Sequence, residues 1–224
     1  MIIVFDLDDT LYEEINYVNS GFRAVANHLS NQYNIQTPEV VHRELILLLE
    51  KQGRGKIFDR FLERYNLSNK WMIKKCLAIY RSHDPDICLS TIGRSCLERF
   101  QDFPKYLVTD GNKVVQTKKI KSLEIDNYFK RILITHNYGL KYSKPSTYCF
   151  HKILKWEDAS PSDLVYVGDN PQKDFVNLKS NGFKTVRVLT GEHRNVVASV
   201  DYEAHAKINS LNELSVEYLR NMFE

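Results

Sequence analysis

The chain opens on Met1-Ile2-Ile3-Val4-Phe5-Asp6-Leu7-Asp8-Asp9-Thr10-Leu11-Tyr12, an apolar run that stops at three carboxylates and a hydroxyl. Residues 2–5 are β-branched or aromatic with no polar alternation, the pattern of a central strand covered on both faces. Open parallel sheets bind ligands beyond the carboxyl ends of their strands, so this strand delivers acids to a binding edge. Side chains alternate with period two, which sends Asp6 and Asp8 to one side and Leu7 to the other. Two carboxylates sharing one small site raise each other's pKa unless a cation lies between them, so the spacing predicts a divalent metal or a shared proton. A helix N-cap after a strand is the plain alternative, but one cap needs one acid.

The rest of the composition narrows the partners. Lys+Arg number 31 against 28 Asp+Glu, a net charge of +3, too balanced to argue for nucleic acid or a membrane surface. The N-terminal apolar run meets Asp6 too soon for a signal peptide or a membrane span, so a soluble, cytoplasmic protein is expected. Cys76, Cys88, Cys96 and Cys149 show no CxxC spacing, which disfavours zinc and a disulfide framework and leaves reduced, partly buried thiols.

After Tyr12 the period changes. Ile15, Val18, Phe22, Val25, Leu29 and Tyr33 recur at helical spacing, and Thr37-Pro38 offers a cap and first turn for Val41, Leu45, Leu48 and Leu49. The turn Gly53-Arg54-Gly55-Lys56 precedes a third apolar face (Ile57, Phe58, Phe61, Leu62), and Ser68-Asn69 a fourth (Trp71, Met72, Cys76, Tyr80). Four successive helices do not fit alternating βα units, so residues 15–83 read as an inserted helical module within a core of 1–14 and 84–224. Beyond it, a helix over 87–100 leads into alternation. Strands are predicted at 105–109, 131–135, 164–167, 184–189 and 206–208, and helices at 112–123, 145–156, 171–181 and 211–222. That order predicts an α/β fold: a parallel sheet with right-handed crossovers. The final segment, 201–224, looks like an edge strand and a covering helix rather than an interface, which slightly favours a monomer.

Several strand tips carry complementary chemistry. At Thr109-Asp110-Gly111-Asn112, a hydroxyl and freed amides at a helix start can hold an anion, although Asp-Gly-Asn is also an ordinary turn. Lys144-Pro145 places an ammonium before a helix whose first residue is proline, so charge and helix N-terminus can address the same anion; Lys141 competes for this role. Gly168-Asp169 follows a second buried strand, and Asp174 lies five residues on, about one helical turn in. Asp169 completes an oxygen cage suited to Mg²⁺, which takes one to three carboxylates plus water and phosphate oxygens.

With these four motifs in order, the chain resembles the haloacid dehalogenase-like hydrolase superfamily over residues 1 to about 190. Asp6-Leu7-Asp8-Asp9-Thr10 matches DxDx[TV], Thr109 the second-motif hydroxyl, Lys144 the third-motif lysine, and Gly168-Asp169 with Asp174 the GDxxxxD. The resemblance implies a Rossmann-like core with helices on both faces of the sheet, and an inserted α-helical cap of the C1 type. It implies Asp6 as nucleophile, forming an aspartyl-phosphate, and Asp8 as general acid and base, oriented by Thr10. Mg²⁺ is then held by Asp6, the Asp8 backbone carbonyl and Asp169, with Asp174 in the outer shell. Thr109, Lys144 and the backbone of Asp110 hold the phosphate. Asp9 drops out as a flap or turn residue.

Asp8 also argues against the dehalogenase branch, where no acid is needed for a halide. A phosphatase of small metabolites such as sugar phosphates is the expectation. A nucleoside monophosphate 5′-nucleotidase, a phosphomutase and a non-catalytic binding protein are the alternatives. Arg54 and Lys56 are candidates for a basic lip binding the substrate, against a solvated interhelical turn as the plain reading.

Overall fold

The computed structural model describes residues 1–223. Its elements are β1 (Ile2–Phe5), α1 (Glu14–Tyr33), α2 (Pro38–Gln52), α3 (Ile57–Arg64), α4 (Lys70–Ser82), α5 (Thr91–Arg99), β2 (Lys105–Thr109), α6 (Lys113–Ser122), β3 (Arg131–Ile134), α7 (Tyr148–Glu157), β4 (Leu164–Gly168), α8 (Val176–Ser180), β5 (Lys184–Val188), β6 (Ala206–Ile208) and α9 (Val216–Phe223). Two compact units result: Met1–Glu14 with Cys88–Glu224, and Ile15–Ile87.

In the first unit six parallel strands form one sheet in the order β3-β2-β1-β4-β5-β6. The chain steps outward from β1 through β2 to β3, then crosses back to β4 on the other side of β1. Connections after β1 and β4 therefore leave in opposite directions, which opens a crevice at their carboxyl ends. Phe5 is in register with Val167, and Asp6 N–H donates to the Val167 carbonyl at 2.9 Å, so the tips of β1 and β4 end level.

Both faces are covered, which is why β1 lacks alternation. Ile2 and Val4 join Tyr106, Val108 and Tyr166 in a cluster completed by Phe150, Ile153 and Leu178 from α7 and α8. On the opposite face the Phe5 ring meets Phe100 at 6.5 Å and Phe129 at 6.4 Å. Each such buried side chain contributes about 1.5–3 kcal/mol, so the strand presenting Asp6 is among the best anchored in the unit.

The second unit has its own core, built from Val18, Phe22, Val25 and Leu29 of α1, Val41, Leu45 and Leu48 of α2, Phe58, Phe61 and Leu62 of α3, and Met72 and Cys76 of α4. A Cβ on Gly21 would stand 2.5 Å from the Tyr80 ring, so glycine there lets α4 close on α1. The return segment is tied in where Asp86 N–H donates to Ser20 Oγ at 2.8 Å.

Four helices begin later than the sequence pattern predicts, each because a side chain or turn stops the first turn. Residues 143–146 form a turn closed by Ser146 N–H to the Ser143 carbonyl, so α7 starts at Tyr148 rather than Pro145. Asp174 accepts from Asn170 N–H at 3.0 Å, a local bond that competes with helix, and only Val176–Ser180 is helical within 171–181. Ser90 caps α5 through Gly93 N–H, and Ser215 caps α9 through Tyr218 N–H. In the last segment β6 is the sheet edge; Glu224 lies outside the described residues.

Cys76, Cys96 and Cys149 are buried and Cys88 is exposed, all as free thiols. Burial pushes Cys76 and Cys149 up to about 11 and Cys96 to about 12. A thiol reagent at neutral pH should therefore label Cys88 rapidly and the other three only after denaturation; fast labelling of more than one thiol in the native protein would contradict this packing. Among the described residues no helix is long and apolar enough to cross a membrane.

Candidate active site

The tips of β1 and β4 bring three buried carboxylates together. One oxygen each from Asp6, Asp169 and Asp174 lies within 4.8 Å of the others. Gly168 makes this possible: a Cβ there would sit 2.6 Å from Asp174 Oδ2, so the glycine admits that carboxylate against the end of the strand. Lys144 enters the same space, its Nζ 2.9 Å from Asp6 Oδ2, 2.8 Å from Asp174 Oδ1 and 2.8 Å from the Tyr166 hydroxyl.

The charge balance is incomplete. Burial pushes Asp6 up to about 7; Lys144 opposes that rise and the neighbouring Asp174 adds to it. Asp169 is also raised by burial, against a 2.9 Å contact from His193 Nδ1. That contact is in turn the main cause of the raised pKa of His193. Lys144 is held well above its ordinary value, the burial penalty being outweighed by Asp174 and Asp6. Three clustered carboxylates against one buried lysine, with His193 on Asp169 alone, leave room for a further positive charge. An all-oxygen donor set of this kind fits a hard divalent cation.

Asp8 stands apart from this cluster. Its Oδ1 accepts from Lys119 Nζ at 2.6 Å and from the Tyr12 hydroxyl at 2.6 Å, and its Oδ2 from Gln116 Nε2 at 2.9 Å. Burial would raise its pKa, but Lys119 and the hydrogen bonds win and lower it. The two acids of the opening motif are thus pushed in opposite directions by their surroundings. Neighbouring carboxylates separated in this way can take different roles in one reaction.

Thr10 does not orient Asp8. Its Oγ1 is buried with no hydrogen-bond partner, and Tyr12, Gln116 and Lys119 occupy both oxygens of the carboxylate. Lys144 does not stand at a helix N-terminus either, since α7 starts at Tyr148; ion pairs position it. Asp174 lies in the turn before α8, not one turn into a helix. Thr109 is buried at the tip of β2, and Gln116 Nε2 donates to its Oγ1 at 2.6 Å. The amides of Val114 and Val115 are taken up by Asn112 Oδ1 as an N-cap, so they are not free for an anion. The Asp110 carboxylate is committed to Thr135 Oγ1 and Lys144 N–H, which braces the lysine backbone. Arg54 and Lys56 lie in the helical unit, where with Phe22, Phe58 and Tyr80 they line a cavity of about 240 Å³.

Asp9 fastens the site. It takes a left-handed backbone (φ 54°), its carboxylate accepts from the N–H groups of Glu14 and Glu192, and its carbonyl accepts from Thr190 Oγ1. A Cβ on Gly191 would fall 2.0 Å from Asp9 Cγ, at φ +60°. Gly191→Ala should therefore destabilise by more than about 1 kcal/mol, lowering the melting temperature by at least about 2–4 °C. An unchanged melt would show that the 190–192 turn is not held against Asp9. Arg187, 1 % exposed, anchors the same loop through Glu203 and the carbonyls of His193 and Val196.

Residues 3–188 match the family described as haloacid dehalogenase-like hydrolase. The chain belongs to that family. Among relatives of this hydrolase, the glyceraldehyde 3-phosphate phosphatase of Pyrococcus furiosus is 28% identical over 212 residues, covering 92% of this chain and 86% of the relative. The enzyme of the same name from Pyrococcus abyssi is 31% identical over 192 residues, covering 83% and 79%. In fold, the hydrolase is similar to a HAD-hydrolase from Bacillus subtilis solved bound to magnesium, with a TM-score of 0.66, 17% identity and coverage of 100% and 98%. Families of this kind use a divalent metal, and the Asp6, Asp169 and Asp174 cluster supplies a place for one.

Proposed function

We propose that this hydrolase is a magnesium-dependent phosphatase of small phosphorylated metabolites, with a triose phosphate such as glyceraldehyde 3-phosphate as the first candidate. The observation that carries the reading is the convergence of Asp6, Asp169 and Asp174 beside Lys144, with Asp8 held separately. The names of the relatives point to the substrate class.

In this reading Mg²⁺ would be held by Asp6, the Asp8 carbonyl and Asp169, with Asp174 as an outer-shell residue, and would let an anionic carboxylate approach an anionic phosphate. Asp6 attacks phosphorus, forming an Asp6 O–P bond as the P–O bond to the alcohol breaks. A cation there would offset the burial that raises Asp6 and favour its ionised form; Asp8, although its partners favour the carboxylate, gives its proton to the departing oxygen when it carries one. As a carboxylate it then takes a proton from the water that attacks phosphorus, releasing phosphate and restoring Asp6. Thr109 and Lys144 stabilise the charge on the transferring group. The helical unit acts as the substrate-selecting cap, with Arg54 and Lys56 as its candidate cationic side chains.

Phosphate release from triose phosphates, hexose phosphates, nucleoside monophosphates and an aryl phosphate, each with Mg²⁺ and with EDTA, tests the reading. The highest kcat/KM is expected on a sugar phosphate, with loss of turnover in EDTA. No Mg²⁺-dependent release from any of them would refute the assignment, and a strong preference for nucleoside monophosphates would move the substrate class.

A further inference from the structure

The face of α6 toward the site is unusual for a helix packed on a sheet. It buries Gln116, Lys119 and Ile120, the first two only 1% and 2% exposed. Gln116 and Lys119 lie three residues apart and so share one helical face. Long polar side chains are seldom fully buried, and burying them costs free energy unless their polar atoms find partners. Here the partners belong to the reaction site. Lys119 Nζ lies 2.6 Å from Asp8 Oδ1 and 3.3 Å from Glu14 Oε1. Gln116 Nε2 donates both to Asp8 Oδ2 at 2.9 Å and to Thr109 Oγ1 at 2.6 Å.

The amide orientation follows from chemistry, because an ionised carboxylate only accepts and a flipped glutamine would set oxygen against oxygen. Thr109 Oγ1 is then an acceptor from Gln116, and its single proton is left to point elsewhere. One glutamine thereby ties the hydroxyl at the tip of β2 to the carboxylate at the tip of β1. Lys119 and Tyr12 together fix the rotation of that carboxylate by holding its other oxygen.

We propose that Gln116 and Lys119 are positioning residues for proton transfer by Asp8. This rests on the phosphatase reading above. A helix face serving only to pack would leave the two half-reactions equally affected by its loss; a positioning face would not. Departure of 4-nitrophenol needs no acid, whereas attack by water on the aspartyl-phosphate needs the placed base.

Lys119→Met and Gln116→Leu should therefore keep the first-turnover burst of 4-nitrophenol within about threefold of the wild type, while steady-state turnover falls about 10²-fold. Acid-quenched phosphoenzyme should accumulate in both variants, and KM should fall together with kcat, because slow hydrolysis of the phosphoenzyme lowers both. Lys119→Met leaves the Asp8 and Glu14 carboxylates without their lysine and is the variant at risk of misfolding; Gln116→Leu removes no charge and carries the test alone if needed. Wild-type turnover and phosphoenzyme level in Gln116→Leu, or a burst that falls as far as turnover, would overturn the positioning role while leaving the phosphatase reading intact. A wild-type protein that forms no phosphoenzyme and releases no phosphate would overturn that reading and this proposal with it.

Discussion

Replacing Asp6 by asparagine is expected to lower Mg²⁺-dependent phosphate release at least about 10⁴-fold while leaving the protein folded. Asparagine keeps the shape of the side chain and an oxygen for Lys144, now 2.9 Å away, but it has no carboxylate to attack phosphorus. Folding should not suffer. Burial pushes the Asp6 carboxyl up to about 7, so its ionised form is disfavoured by the fold and a neutral amide relieves that cost. In metal-free buffer at pH 7.5 the melting temperature should equal or exceed that of the wild type. The hydroxylamine-sensitive phosphoenzyme should be absent. Residual turnover above about 1% in a clean preparation would remove Asp6 from the role of nucleophile, because side-chain deletions at a nucleophile cost far more than that.

The elements that present Asp6 could be read from the sequence because each is locally determined. β1 and β4 are unbroken apolar runs stopped by Asp6 and by Asp169, β2 has the apolar centre Tyr106-Leu107-Val108 followed by Thr109 and the Asp110-Gly111 turn, and central parallel strands have few other signatures. The helix starts were less legible. Pro145 and Pro171 suit a first helical turn, but a serine turn in one case and the Asp174 side chain in the other took the local hydrogen bonds first.

The metal-facing acids followed from motif spacing, whereas the partners of Asp8 did not. Gln116 and Lys119 stand 108 and 111 residues from Asp8, and only the pairing of β1 with β2 brings α6 beside it. A signal was nonetheless present: 113–122 lacks a clean apolar stripe although the helix must pack on the sheet. Arg187 gave a similar signal as a cation flanked by Val186 and Val188 in the strand Lys184–Val188. Thr10 failed as the orienting group because Asp9, its neighbour, turns the backbone left-handed, and the hydroxyl ends in a buried site with no partner.

Lys144→Met is expected to be the most destabilising single change at this site. The lysine side chain is 1% exposed and pairs with Asp6 and Asp174, themselves nearly or wholly buried. Removing one partner of a buried ion pair costs about 3–5 kcal/mol, because the remaining charge is left desolvated and unpaired, which corresponds to a melting temperature lower by on the order of 10 °C. The loss should depend on pH with a defined sign. Asp6 already has a folded pKa raised from 3.8 to about 7, so the folded state keeps the proton longer than the unfolded chain, and stability falls as pH rises through that window. Without Lys144 the rise steepens, so the variant should approach the wild type near pH 5 and diverge from it above pH 7. Mg²⁺ should restore part of the difference by supplying positive charge to the same carboxylates, and Asp174→Asn in the Lys144→Met background should restore part of it by removing one of them. Melting curves across pH, with and without Mg²⁺, decide the matter. A pH-independent loss that neither Mg²⁺ nor the second substitution relieves would mean that Lys144 acts through packing, and that the charge imbalance assigned to Asp6, Asp169 and Asp174 is not what makes this site receptive to a divalent cation.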